Sequence, residues 1–138
     1  PIGINVLEAA QQRVSWTFDN FERVYLSFSG GKDSTVMLHI VADEARARGR
    51  KFGLLIVDLE AQYQLTMQHV AACVDEYQDT IELFWCCLPI HLRNAVSVYE
   101  PFWLCWDETV KGAWVREFPE NAITDLSYFP FVGSVRCV

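Results

Sequence analysis

The sequence predicts an α/β fold in which a parallel sheet is flanked by helices, of the Rossmann-like kind. Three observations carry that prediction. Helical apolar periodicity alternates with short β-branched or aromatic runs over residues 1–88. The run from Phe52 to Leu59 is apolar at nearly every position, as a strand covered on both faces requires. A glycine-containing turn, Ser29 to Ser34, stands where a strand gives way to a helix.

Taken in order, Val6, Ala10, Val14, Phe18 and Phe21 recur at helical spacing and predict a leading amphipathic helix. Val24 to Phe28 reads as the first strand, ending at the glycines. Val36, Met37, Ile40, Val41, Ala42 and Ala45 then mark one face of a second helix, closed by Arg46, Arg48 and Gly49. Cations suit the negative end of a helix and glycine suits its cap. Phe52 to Leu59 is the second strand, Leu65 to Tyr77 a third helix with Val70, Cys73, Val74 and Tyr77 inward, and Thr80 to Leu88 a third strand. Beyond Pro89 the periodicity is lost. Residues 89–138 read as an irregular, aromatic-rich segment punctuated by Pro101, Pro119 and Pro130. So apolar a stretch is expected to pack over the carboxyl ends of the strands, or against a partner. A three-stranded sheet is small for such a fold. The chain is therefore expected to be a fragment, or to need a second copy or a partner protein to complete its sheet.

The 138 residues suit a single domain, 51% hydrophobic and 21% charged, which excludes a disordered chain. A net charge of −7 argues against a broad hold on nucleic acid but not against a nucleotide, because one loop can bind phosphate inside an acidic protein. Five cysteines in irregular spacing, with no recognisable signal peptide, point to reduced thiols and a cytoplasmic setting. The apolar run Leu83 to Ile90 is far shorter than the ~20 residues of a membrane span, so no membrane association is expected.

Ser29-Gly30-Gly31-Lys32-Asp33-Ser34 carries the chemistry. Phosphate needs converging N–H donors, and a helix amino end supplies them with a partial positive charge. Gly30 and Gly31 allow a sharp turn with no Cβ in the ligand's way. Ser29 and Ser34 offer hydroxyl donors and Lys32 a mobile cation. Asp33 suits a helix cap or a magnesium ion arriving with ATP. Neither the Walker spacing nor the Gly-x-Gly-x-x-Gly pattern of dinucleotide folds is present.

The hexapeptide resembles the signature of the adenine nucleotide alpha-hydrolase (PP-loop) superfamily, which includes ATP pyrophosphatases and phosphoadenosine phosphosulfate (PAPS) reductases. The stretch Asp58-Leu59-Glu60-Ala61-Gln62-Tyr63-Gln64-Leu65-Thr66 resembles the reductases' second-strand motif at Asp58, Tyr63 and Thr66 and departs from it at Leu59, Glu60 and Leu65. With Leu88 to Asn94 and the Trp-rich tract, it looks closest to the PAPS reductase-like proteins of prophages and plasmids that include the immunoglobulin-binding regulator IbrA. The resemblance, spanning roughly Phe21 to Phe118, implies phosphates on Ser29 to Ser34. It implies adenosine beside Ser27, Val57, Asp58, Leu59 and Glu60, and PAPS, adenylylsulfate or ATP as ligand, with no covalent cofactor. It also implies sulfonucleotide reduction or sulfur transfer. Against that, the Glu-Cys-Gly-Leu-His type of motif that carries the reductases' catalytic cysteine is absent, and Val135-Arg136-Cys137-Val138 does not replace it. No catalytic residue is assigned.

Other candidates weigh less. Cys86-Cys87 lacks the further cysteines an iron–sulfur cluster needs and reads as core thiols. His69 and Cys73 share a helix face but do not make a metal site alone. Arg93 follows the third strand and is the best-placed anion contact, ahead of Lys111 and Arg116, because a guanidinium fork suits tetrahedral anions. Asp107 and Glu108 read as solvated charges. Three functions stay open: a nucleotide-binding domain of PAPS reductase-like type, a non-catalytic nucleotide-sensing regulator, and an ATP pyrophosphatase that adenylylates a substrate.

Overall fold

The computed structural model describes residues 3–124. Helix α1 (Val6–Asn20) starts in a capping box: Asn5 Oδ1 accepts the Glu8 N–H at 2.9 Å, and the Glu8 carboxylate accepts the Asn5 N–H at 3.2 Å. Strand β1 (Tyr25–Ser27), helix α2 (Lys32–Ala47), strand β2 (Phe52–Val57), helix α3 (Gln64–Tyr77) and strand β3 (Ile81–Cys86) follow in the expected alternation. The three strands run parallel, with Leu26 beside Leu54 and Leu54 beside Leu83. β2 is therefore flanked on both edges, and Phe52, Leu54 and Ile56 are buried.

Helix α2 ends in a Schellman motif. The Gly49 N–H reaches Arg46 O and the Arg50 N–H reaches Ala45 O, while Gly49 takes φ +61°. The arginines around this cap tie α2 to other elements. Arg48 joins α1 to α2 through Asp19 and Glu44, and the Arg50 guanidinium donates to the carbonyls of Phe18, Phe21 and Glu22 at the carboxyl end of α1. Arg46 leaves the helix end to hold Asp79 and Thr80 ahead of β3. Its hydrogen bond holds the Asp79 carboxyl below the usual range.

The segment after Pro89 is more regular than its sequence suggests. Strands β4 (His91–Arg93) and β5 (Phe102–Leu104) form an antiparallel hairpin, a 3₁₀ turn covers Glu108–Ala113, and strand β6 (Ala122–Ile123) adds to the main sheet beside β3. The order is β1-β2-β3-β6, so the described sheet has four parallel strands rather than three. Strands of two and three residues are too short to show a period of two, which is why the sequence reads as irregular there.

Two apolar clusters result. The larger joins Val14, Phe18, Leu38, Val41, Phe52, Leu54, Val70 and Tyr77 between helices and sheet. The smaller gathers Cys87, Cys105 and Trp106 with Leu59, Trp85, Trp103, Trp114 and Phe118. It stands at the carboxyl end of β2 and β3, where the aromatic segment was expected to pack. Helix faces differ in detail from the periodic reading. Val6 and Phe21 are 88% and 45% exposed, and Leu38, outside the expected face, is fully buried. No helix among the described residues is long and apolar enough to cross a membrane. Tyr128, Phe129, Phe131 and Cys137 lie outside the described residues.

Candidate phosphate-binding site

Residues 29–34 form the turn from β1 into α2, as the sequence predicts. The Phe28 N–H extends the ladder to Leu55 O at 2.8 Å, and its ring is buried. The chain then reverses at Gly30, with φ +74°, and the helix starts from Gly31 with no side-chain cap. A Cβ on Gly30 would stand 2.7 Å from Val70 Cγ2 and 3.1 Å from Thr66 Cγ2, so the turn sits directly against α3. Only glycine satisfies both the dihedral and the contact. Gly31 differs: a Cβ there would meet just Ser29 Oγ, at an ordinary 3.5 Å.

The first turn of a helix has N–H groups without intrahelical partners; the Gly31 N–H makes a long 3.4 Å contact to Ser29 Oγ, and among the described residues no side chain takes those of Lys32, Asp33 and Ser34. Hydroxyls gather around the turn. Ser29 Oγ and Ser34 Oγ are 3.1 Å apart, while Ser34 and Thr35 hydroxyls donate to Gly31 O at 3.0 and 2.9 Å. Lys32 Nζ and Asp33 Oδ1 lie 2.6 Å apart, both side chains nearly nine-tenths exposed, a pair that water screens and that leaves the ammonium free to engage another anion. Asp33 does not cap the helix. Thr35 Oγ1 also contacts His69 Nε2 at 2.9 Å, and His69 Nε2 lies 3.6 Å from Cys73 Sγ. His69, backed by Cys73, thus meets the first turns of α2 from α3. Among the described residues no group of His, Cys, Asp and Glu has a metal-holding arrangement.

The expected adenosine contacts divide. Ser27 and Val57 are exposed at the carboxyl ends of β1 and β2, and Leu59 is half-buried. Asp58 and Glu60 are buried and committed internally. Asp58 accepts from the Glu60 N–H at 2.9 Å, from Trp85 Nε1 at 2.6 Å and from the Arg116 guanidinium. Glu60, at φ +62°, accepts from the N–H groups of Trp106 at 2.6 Å and Val115 at 3.0 Å, and its carbonyl accepts from Arg116 Nε at 2.9 Å. Trp106 Nε1 donates to Asp58 O at 2.8 Å. The two carboxylates therefore pin residues 106–116 to the end of β2, and neither is free to meet a ribose.

Among the expected cations, Arg116 is consumed by this network and Lys111 lies over the Trp114 ring at 5.2 Å. Arg93 is exposed on β4 in a cleft that no residue of 29–34 lines. Asp107, read as solvated, caps the 3₁₀ turn through Thr109, whose bonds hold its carboxyl below the ordinary range. Cys73, Cys86, Cys87 and Cys105 are free and buried, and burial raises the pKa of each thiol. They behave as core side chains. The sequence reading missed Thr66 and Val70 as the wall behind Gly30, and the network of Asp58, Glu60, Arg116, Trp85 and Trp106. One signal was present for the second: buried indole N–H groups need acceptors, and acidic residues stood at the end of β2.

Residues 23–89 match the family model described as the phosphoadenosine phosphosulfate reductase domain. The chain is similar to "Uncharacterized protein YbdN" of Escherichia coli (strain K12), with 46% identity over 132 residues, covering 95% of this chain and 32% of that protein. It thus spans about a third of that relative's length. Neither comparison singles out a subgroup of prophage or plasmid proteins. With its loop between a parallel strand and a helix, and with that match across β1 to β3, residues 23–89 form a domain of PAPS reductase-like type.

Proposed function

We propose that residues 29–34 hold the phosphate chain of an adenine nucleotide, either a sulfonucleotide or ATP. The observation that carries this reading is the uncapped first turn of α2 at the carboxyl end of a parallel strand, bordered by two serine hydroxyls and an exposed lysine. Crevices outside the carboxyl ends of parallel strands are where such sheets bind ligands. Lys32 and the loop amides would stabilise charge on a phosphate chain by position and electrostatics. Adenosine would lie by Ser27 and Val57, without the carboxylates of Asp58 and Glu60. Asp33, exposed on the same turn, suits one ligand of a magnesium ion whose other ligands are phosphate oxygens and water.

The buried thiols favour a second reading, in which the domain binds the nucleotide without reducing it. A deeply buried thiol with a raised pKa holds little thiolate and makes a poor nucleophile. Isothermal titration with PAPS, adenylylsulfate and ATP tests the main proposal. Saturable binding of at least one, weakened at least about tenfold by Lys32→Ala, is expected from the loss of a charged hydrogen bond. No binding of any of the three by a folded sample would defeat it. Release of sulfite, pyrophosphate or AMP that disappears in Lys32→Ala would reject the binding-only reading, and pyrophosphate from ATP alone would favour substrate adenylylation.

A further inference from the structure

A cleft of about 500 Å³ lies between the loop from β2 to α3 and the β4–β5 hairpin, lined among others by Leu59, Gln62, Leu92, Arg93, Glu100 and Trp103. Leu59, Leu92 and Trp103 belong to the second apolar cluster, so the cleft has an apolar floor. Its rim carries opposite charges. Arg93 pairs with Phe102 across the hairpin, and the Asn94 N–H bonds Pro101 O at 2.8 Å, which holds Glu100 on the other side of the same turn. Among the described residues, neither the Arg93 guanidinium nor the Glu100 carboxylate has an ion-pair or hydrogen-bond partner. Gln62, on the wall of the same cleft, has its Oε1 buried with no partner among the described residues.

Together these groups specify what the cleft would hold. A guanidinium fork matches a carboxylate. An unpaired carboxylate and an unsatisfied carboxamide oxygen both call for a donor. Gln62 lines the cleft and its terminal torsion is broad, so a turn of its carboxamide aims Oε1 into the cleft, where an ammonium supplies the bond it lacks. Glu100 repels a purely anionic ligand, which argues against a second phosphate site. We propose that this cleft binds a free α-amino acid with an apolar side chain. The carboxylate meets Arg93, the ammonium meets Glu100 and Gln62, and the side chain lies on Leu59, Leu92 and Trp103. The proposal is independent of whether residues 29–34 bind a nucleotide.

The test uses the chain without nucleotide, followed by NMR at the Gln62 side-chain amide and the Trp103 indole N–H. The probes are L-phenylalanine, L-phenylalaninamide, which lacks the carboxylate, and 3-phenylpropanoate, which lacks the ammonium. L-Phenylalanine should give saturable shifts at both reporters, and each truncated probe should bind roughly tenfold or more weakly, the worth of one charged hydrogen bond. Arg93→Gln should abolish the preference over the amide, and Glu100→Gln the preference over the propanoate. Both residues are exposed, so neither substitution disturbs the core. No saturable shift with L-phenylalanine would overturn the proposal, as would equal affinity for all three probes or a larger response to inorganic phosphate.

Discussion

Replacing Gly30 with alanine is the sharpest structural perturbation of the loop. At φ +74° an L side chain costs about 1–2 kcal/mol. The new methyl would also stand 2.7 Å from Val70 Cγ2, closer than real contacts allow, and a tight 3.1 Å from Thr66 Cγ2. Overpacking of that kind costs about 1–3 kcal/mol, so Gly30→Ala should lose about 2–5 kcal/mol in all. With a urea m-value of about 2 kcal/mol per M, the midpoint falls by roughly 1–2.5 M. Gly31→Ala is the control. Its φ of −78° suits any residue and its methyl meets only Ser29 Oγ at 3.5 Å. Lost chain entropy in the unfolded state and a poorer N-cap then offset one another to within about 1 kcal/mol. Val70→Ala removes the atom that blocks Gly30→Ala, so the double variant should lose less than the sum of the single losses, by about 1 kcal/mol. Urea unfolding of the four variants measures all of this. Equal midpoints for the two glycine variants, or strict additivity with Val70→Ala, would refute the claim that the turn is seated on α3.

Three further outcomes follow from the same structure. Arg116→Met leaves the buried Asp58 carboxylate without its cation and should cost about 2–4 kcal/mol, toward the lower end of what breaking a buried pair costs because Arg116 is partly exposed; urea unfolding checks this, and a red shift of tryptophan emission should accompany it as Trp85 and Trp106 lose their setting. Burial pushes the Tyr77 hydroxyl from 10.0 up to about 12, so the stability it contributes is complete below pH 10 and lost as pH rises toward 12; stability measured against pH should show this fall in the wild type and not in Tyr77→Phe. Ellman's reagent should find Cys73, Cys86, Cys87 and Cys105 unreactive until the chain unfolds, and rapid native modification of any of them would contradict their burial.

How much the sequence revealed depended on element length. Helices of 14–16 residues and strands of six display their periods, so α1, α2, β2, α3 and β3 were legible, and the three-residue β1 was legible from its apolar run ending at the glycines. So was the loop, because glycines, hydroxyls and lysine between strand and helix answer the needs of an anion site together. The hairpin β4–β5 and strand β6 were not legible, because pairing of two or three residues is decided by tertiary neighbours. Asp58 and Glu60 illustrate a different limit. Their position at the end of β2 suggested a ligand contact, yet the partners that take up both carboxylates lie in residues 85–116. Nothing local to residues 58–60 distinguishes an acid aimed at a ligand from one aimed at a distant tryptophan. The tertiary fold makes that choice, and it also fixes φ +62° at Glu60, a conformation that glutamate seldom adopts.

The central claim is that residues 29–34 cradle phosphate with the amides at the start of α2. Its most direct measurement is the backbone amide NMR spectrum of the chain titrated with PAPS, adenylylsulfate and ATP in turn. The account predicts saturable shifts concentrated at Gly30 to Thr35 for at least one nucleotide, with Ser27 and Val57 following and the Asp58–Arg116 network unmoved. Saturable shifts elsewhere with the loop amides silent would place the nucleotide at another site and contradict the account.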